Sequence, residues 1–337
     1  MNFAIIGCGR ISYKHIEALI NNVENCRLVA LCDIIDTKAC ERKIQYKSKV
    51  STDISIYVDY KDMLEKENID CVTVCTESGY HTKIAIDCLN AGKHVLIEKP
   101  MAMTVEDADR INSLAKEKGL KVGVCHQNRF NPSIQKLRQA LEEGRFGKII
   151  NVTARILWTR DQNYYNQAPW RGTKELDGGT LMNQCIHDID LLQWMVGSEV
   201  ERVHCERGTF LRNIEMEDFG AILIRFKNGT IGLVEGSACV YPKNLEETLS
   251  VFGEKGTVVI GGLAVNKIQT WQFSDEKEYD RIDDSSNVDN VYGNGHTPLY
   301  KDFYESVANN RLPYISGEEG KKALSIILDC YSKDYLK

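Results

Sequence analysis

A short apolar strand that runs straight into Gly7-Cys8-Gly9-Arg10-Ile11-Ser12, and then into a helical pattern, constrains this chain more than any other feature. Asn2-Phe3-Ala4-Ile5-Ile6 reads as a strand, and Ile16, Leu19 and Ile20 recur at helical spacing after the turn. Glycines at such a turn let the backbone approach a pyrophosphate, which then rests on the N–H groups of the helix N-terminus. Ser12 stands where a third glycine is usual and is small enough for close helix–strand packing. A second apolar run from Arg27 ends in Asp33, roughly 20–25 residues past the turn, where an acid would read a ribose 2′-hydroxyl. Ile34 and Ile35 follow it, so no arginine is at hand to neutralise a 2′-phosphate. The expected cofactor is NAD rather than NADP.

The second informative stretch is His94-Val95-Leu96-Ile97-Glu98-Lys99-Pro100. An apolar run stops at a proline, which has no N–H and a fixed φ, so Lys99 is presented at a strand tip. In open α/β sheets that edge is where ligands bind. Strand and helix patterns alternate up to about residue 125: Cys71–Cys75, a helix from His81 to Asn90, the strand before Lys99, a helix from Val105 to Lys118, and Lys121–Cys125. This is the pattern of a parallel sheet covered on both faces. Beyond Arg145 the texture changes to alternating strands, such as 220–226 and 230–240, with turns at Lys227-Asn228-Gly229 and Gly253-Glu254-Lys255-Gly256. Helices are predicted near 182–194, 298–309 and 318–335. The expected fold class is α/β: a doubly wound dinucleotide-binding domain over 1–125, then an α+β domain over 126–337 with a large, mainly antiparallel sheet.

The net charge of −6 argues against nucleic acid or an anionic membrane as a partner. No apolar run approaches the roughly 20 residues of a membrane span, and the first strand is too short for a signal peptide. The chain has 12 cysteines, but Cys32, Cys71, Cys75 and Cys125 lie in apolar strands and read as small core residues. Without a CxxC pair or a Cys/His cluster, neither zinc nor a redox dithiol is implied, and a reducing cytoplasm is the expected compartment.

Four segments together, Gly7–Ser12, Thr76-Glu77-Ser78-Gly79-Tyr80-His81, Glu98-Lys99-Pro100 and Asn183-Gln184-Cys185-Ile186-His187-Asp188-Ile189-Asp190, resemble the glucose–fructose oxidoreductase / inositol dehydrogenase family. A further set is similar to the branch of that family that oxidises C3 of a UDP-linked 2-acetamido-2-deoxy-glucuronate in bacterial surface-polysaccharide synthesis. It comprises Trp158-Thr159-Arg160, Tyr164-Tyr165, Trp170-Arg171-Gly172-Thr173, Asp177-Gly178-Gly179, Tyr241–Glu246 and Gly261–Asn266. The resemblance implies Lys99 and His187 as catalytic groups. It implies substrate contacts from Lys99, Arg160, Tyr165, Asn183, His187 and Lys243. It implies cofactor contacts from Gly7, Cys8, Gly9, Arg10, Ile11, Asp33, Thr76, Ser78, His81, Glu98, Lys99, Gln127, Trp170 and Arg171, and no metal.

The chemistry agrees with those roles. Oxidising a secondary alcohol needs a hydride acceptor and a base for the hydroxyl proton, and histidine, with an unperturbed pKa near 6.5, suits the second task. Lys99, partly desolvated beside a cationic nicotinamide, is expected to have a lowered pKa and could also serve as base. His187 follows Asn183 at helical spacing, so the two are predicted on one helix face. In the inositol dehydrogenase branch the residue at the position of Asn183 is an aspartate; a neutral amide fits a sugar hydroxyl and the nucleotide-sugar branch. Arg155, Arg160, Arg171 and Lys174, interleaved with Trp158, Tyr164, Tyr165 and Trp170, suit an anionic nucleotide sugar. The competing readings are a dehydrogenase of UDP-N-acetylglucosamine or of a free sugar or inositol, and a non-catalytic dinucleotide-binding regulator. The broad second sheet is expected to expose side chains such as Ile231, Leu233 and Val251 or their alternates, predicting a homotetramer, or failing that a dimer.

Overall fold

Residues 1–332 are described by the computed structural model. Its first half alternates as the apolar runs require: β1 (Asn2–Ile6), α1 (Ser12–Asn21), β2 (Arg27–Cys32), α2 (Asp36–Lys47), β3 (Ser55–Tyr57), α3 (Tyr60–Lys66), β4 (Cys71–Val74), α4 (His81–Asn90), β5 (His94–Ile97), α5 (Val105–Glu117) and β6 (Val122–Val124). There follow α6 (Pro132–Glu142), β7 (Ile149–Leu157), α7 (Gln162–Asn166), α8 (Thr180–Asn183), α9 (Ile186–Val196), β8 (Val200–Gly208), β9 (Phe219–Phe226), β10 (Ile231–Ser237), β11 (Glu246–Gly253), β12 (Gly256–Gly261) and β13 (Lys267–Phe273). The chain ends in α10 (His296–Ala308) and α11 (Gly317–Ser332). The end predicted for the last helix, Tyr335, lies outside the described residues.

The first unit comprises Met1–Cys125 together with His296–Lys321. Its six strands run in the order β3-β2-β1-β4-β5-β6, every pairing parallel. The order reverses between β1 and β4, the switch point at which such sheets bind nucleotides. The central strands β1, β4 and β5 are buried on both faces, as their apolar composition requires. The main stretch of the first unit ends at Cys125, and the second unit is not one continuous stretch of chain. Residues 296–321 return to the first unit because their apolar face completes its core. Tyr300 and Phe303 are buried against Phe3, with ring centroids 5.5 and 6.5 Å away, and the Val124 N–H donates to the Ile315 carbonyl at 3.0 Å.

The second unit comprises His126–Gly295 and the described residues from Lys322 onward. Seven strands run in the order β13-β12-β11-β7-β10-β9-β8, antiparallel except for the parallel pair β7–β10. α8 and α9 cover one face. A Cβ on Gly236 would lie 2.5 Å from Cys185 Sγ, so the strand is bare where the junction of α8 and α9 approaches it. On the other face Leu223 and Leu233 are exposed and cross-strand neighbours, with Ile231 half-buried beside them. Val251 departs from expectation: it is fully buried, and Ser250 takes the open face in its place. Cys205 of β8 and Cys330 of α11 are joined by a disulfide, which the reading of the cysteines as unpaired core residues did not foresee. No described helix is long and apolar enough to cross a membrane.

Candidate active site

In the first unit the turn after β1 is shaped by backbone contact. Gly7 has φ +93°, and a Cβ there would lie 2.6 Å from the carbonyl carbon of Cys75, so only glycine fits. Gly9 is different: its Cβ would meet nothing within 4 Å among the described residues. The space it leaves open lies before α1, whose N-cap Ile11 makes no side-chain cap bond and whose first turn carries no acid. A helix start behind a glycine turn, with no capping side chain and no acid in its first turn, fits a pyrophosphate. Arg10 is exposed beside the turn.

At the tip of β2, Asp33 accepts from the Cys8 N–H at 2.7 Å and from the Ile35 N–H at 2.9 Å. The acid therefore braces the glycine turn as well as facing the edge where a ribose is read. Beyond β4, Thr76 and the buried Ser78 open a single helical turn, Ser78–Tyr80. His81 is buried, with Nδ1 2.7 Å from the Pro100 carbonyl and Nε2 3.1 Å from that of Thr76. Both ring nitrogens are thus occupied by backbone, so His81 serves this edge by holding two loops together. Desolvation lowers its pKa, against the two carbonyl bonds.

Glu98 heads a cluster that the linear spacing of the chain did not show. It is buried, with Oε1 2.9 Å from His15 Nε2 and Oε2 accepting from the Lys99 N–H at 3.1 Å. His296 Nε2 stands 3.9 Å from Oε1, too far for a hydrogen bond but near enough to be felt electrostatically. His15 Nδ1 meets the Tyr300 hydroxyl at 3.0 Å, and that hydroxyl meets Thr73 Oγ1 at 2.8 Å. Burial alone would raise the Glu98 pKa; the His15 bond and the nearby His296 hold it well below the usual carboxylate range instead. His15, Glu98 and His296 offer ligand atoms within 4.8 Å of one another, a donor set that could hold a metal, although no Cys/His cluster was visible in the spacing. As it stands, the contact between His15 Nε2 and the anionic Glu98 needs a proton on that nitrogen. The available sequence signal was an ionisable residue on an apolar helix face: His15 and Leu19 are both fully buried on α1.

The second unit gathers the sugar-side candidates. Asn183 and His187 do not share one helix. α8 ends at Asn183, Gln184 and Cys185 intervene, and His187 lies in the first turn of α9. The break arises because the Cys185 N–H reaches back to the Thr180 carbonyl at 3.0 Å, a wider turn than an α-helix. Asn183 Nδ2 donates to Asp177 Oδ1, and its Oδ1 accepts from Gln184 at 2.8 Å, so the amide is oriented from both ends. Gln184 also donates to the Tyr164 hydroxyl at 3.2 Å, which accepts from Arg171 at 2.7 Å. Arg171 stacks on Tyr164 and Trp170, and Arg160 on Trp158 and Tyr164, all within 5.3 Å of the ring centroids. Tyr165 is buried beside Tyr164, and burial raises its pKa. The His187 ring stands edge-on to that of the buried His126, centroids 5.5 Å apart. Gln127 is buried, and its Oε1 has no donor among the described residues. Lys243 is exposed, while its neighbour Asn244 accepts from the Thr159 N–H at 2.9 Å and from Arg160 at 3.3 Å.

Residues 1–126 match the model described as an oxidoreductase family with an NAD-binding Rossmann fold, and residues 134–259 match the GFO/IDH/MocA C-terminal domain. This chain belongs to the GFO/IDH/MocA oxidoreductase family. It is an NAD-dependent oxidoreductase. Within the family it is similar to the WlbA dehydrogenase from Bordetella pertussis, solved with NADH and UDP-GlcNAcA: 37% identity over 98% of this chain and 94% of that one, TM-score 0.87. The WlbA dehydrogenase from Chromobacterium violaceum, in complex with the same two molecules, is 36% identical over 98% and 93%, TM-score 0.88. The myo-inositol 2-dehydrogenase of Thermotoga maritima is 28% identical over 96% of this chain and 93% of its own. Those members differ in what they bind, so membership alone gives the cofactor and the reaction class.

Proposed function

We propose that this protein oxidises the C3 hydroxyl of a UDP-linked 2-acetamido-2-deoxy-glucuronate to the 3-keto sugar, in the cytoplasmic synthesis of a bacterial surface polysaccharide. The observation that carries this reading is the set of Arg160 and Arg171 on the faces of Trp158, Tyr164 and Trp170, linked through Tyr164 and Gln184 to Asn183. Guanidinium groups held on aromatic rings suit a pyrophosphate or a carboxylate, and the oriented Asn183 amide suits a neutral sugar hydroxyl. The similarity to two enzymes solved with UDP-GlcNAcA supports it. The free-inositol reading rests on the Thermotoga relative; the aspartate that the family resemblance implies for the inositol branch at the position of Asn183 weighs against it.

NAD, when bound, supplies the acceptor for the C3 hydride. Gly7, Gly9 and the α1 N-terminus would hold its pyrophosphate, and Asp33 the adenosine ribose. Lys99 and His187 are the two groups able to take the hydroxyl proton as the C3–H electron pair leaves and the carbonyl forms. Both are acid–base groups that a pure binding module would not need. Arg160, Tyr165, Asn183 and Lys243 would orient the sugar, and Trp170 with Arg171 would reach the cofactor. The open sheet face around Leu223 and Leu233 would pair with another copy, giving a tetramer or a dimer. Light scattering that gives the mass of one chain, 38.2 kDa, would exclude that assembly.

The test of function is a panel of UDP-sugars, inositols and free sugars incubated with protein and NAD, read by nicotinamide absorbance and by the mass of the sugar product. The expected result is loss of two hydrogens from UDP-2-acetamido-2-deoxy-glucuronate and little turnover of the others. Preferential turnover of free inositol would overturn the proposal.

A further inference from the structure

Parallel pairing puts the tips of β2, β1, β4 and β5 side by side along one edge. Asp33 lies at the tip of β2, one strand from the glycine turn, and Glu98 lies two strands from that turn on the opposite side. Ile6 is in register with Val74 and Val74 with Ile97, so Glu98 sits about 10 Å from the turn, two strand spacings away. A dinucleotide whose pyrophosphate rests on Gly7–Ser12 and whose adenosine ribose reaches Asp33 can extend its other half only toward β4 and β5. Glu98 therefore lies on the nicotinamide side of the edge.

The surroundings of Glu98 make it a permanent buried anion. His15 donates to one of its oxygens and the Lys99 N–H to the other. The carboxylate requires a proton on His15 Nε2; the Tyr300 hydroxyl lies 3.0 Å from His15 Nδ1 and 2.8 Å from Thr73 Oγ1. The groups around Glu98 come from α1, α10, β4 and the segment after β5, so the cluster ties these parts of the unit together. A bound nicotinamide ring differs between its redox states by one positive charge, which the oxidised form carries and the reduced form lacks. A fixed negative charge nearby must favour the former.

We propose that Glu98 sets the redox preference of the cofactor site: its buried carboxylate, held by His15 and Tyr300, strengthens binding of NAD⁺ relative to NADH. Glu98 is a positioning and electrostatic residue in this role and takes no proton from substrate. Lys99 is present in both redox states and in the variants below, so its own charge cancels in the comparison. For a nicotinamide held within about 10 Å of Glu98, at an effective dielectric of about 20, one charge is worth roughly tenfold or more in the ratio of the two affinities.

The test is calorimetric or fluorescence titration of the full-length protein with NAD⁺ and with NADH, without sugar. In Glu98→Gln the NADH/NAD⁺ ratio of dissociation constants should fall roughly tenfold. In Tyr300→Phe, which disturbs the same cluster but leaves the charge, the ratio should stay within about twofold of the parent. If Glu98→Gln does not fold, His15→Leu/Glu98→Leu removes the charge together with its partner and should give the same fall. An unchanged ratio in the charge-removing variants, or an equal fall in Tyr300→Phe, overturns the proposal. Because no sugar is added, the outcome is independent of which substrate the enzyme oxidises.

Discussion

Glu98 in the first unit and Asp188 in the second are both buried carboxyls, and the two units treat them in opposite ways. Glu98 has donors from His15 and from the Lys99 backbone and stays ionised. Asp188 is fully buried, and neither of its oxygens finds a donor among the described residues. Burial, and then the charge of Asp190, pushes its pKa up to about 8. Glu247, also buried, is raised well above its ordinary value by burial and by Asp188. Nearby Asp190 shows that burial alone does not decide the matter: Arg129 grips it through two bonds of 2.7 and 2.6 Å, and it stays ionised. The lesson is that donors, and not depth, determine whether a buried acid is a charge. The first unit maintains a charge at the edge where a charged cofactor binds. The second holds its Asp188–Glu247 pair neutral under the sheet.

The largest expected effect tests whether the two units contribute separately to catalysis. Lys99→Ala and His187→Ala should each lower kcat by on the order of 10²–10⁴-fold while leaving NAD binding near normal. Near-native turnover of His187→Ala at neutral pH would assign the proton to Lys99 and confine the acid–base chemistry to the first unit.

Gly7 and Gly9 sharpen the picture within the first unit. Gly7→Ala forces a Cβ into the Cys75 backbone at positive φ and should destabilise by on the order of 3 kcal/mol, read as a lowered melting midpoint. Gly9→Ala meets no protein atom, so its midpoint should hold while NAD binding weakens roughly tenfold, because the methyl group enters the space meant for the pyrophosphate. Equal stability losses in both variants would mean that the turn is shaped for folding alone. A smaller effect is expected for cofactor choice: NADP should bind roughly tenfold or more weakly than NAD because Asp33 repels a 2′-phosphate. Equal binding of the two would remove that role from Asp33.

The smallest effect addresses the contrast itself. Asp188 has a folded pKa of about 8 against an ordinary 3.8, so its contribution to stability is complete below about 4 and is lost as pH rises through 8. Glu98, depressed in the fold, acts with the opposite sign, and its contribution is lost as pH falls below the usual carboxylate range. Asp188→Asn should therefore raise the melting midpoint at pH 8 by roughly 2–4 °C and change it little at pH 4. A variant equally or less stable at pH 8 would show that Asp188 ionises in the fold and finds a partner.

Much of the first unit was legible because its information is local. An apolar run, a glycine turn and a periodic helix each occupy adjacent residues, and parallel sheets demand that sequence of elements. α4 spans His81–Asn90 as read, and β5 ends just before Glu98. α2, β3 and α3 escaped: α2 buries only Ala39 and Tyr46 and so shows little apolar periodicity, and a three-residue strand carries none. In the second unit the expected helix through Asn183 and His187 failed at one hydrogen bond, from Cys185 back to Thr180, which spacing cannot reveal.

By itself, then, the sequence determined the elements of the cofactor edge: the glycine turn, and the strands that end before Asp33 and before Lys99. Propensity and burial act there over a few residues at a time. Only the tertiary structure decided which distant groups meet. It brought His296 and Tyr300 to Glu98, set Arg160 and Arg171 on their aromatic rings, joined Cys205 to Cys330, and left Asp188 beside Glu247 without donors. The protonation of a buried group follows from donors that arrive from elsewhere in the chain, and that information is absent from any local window.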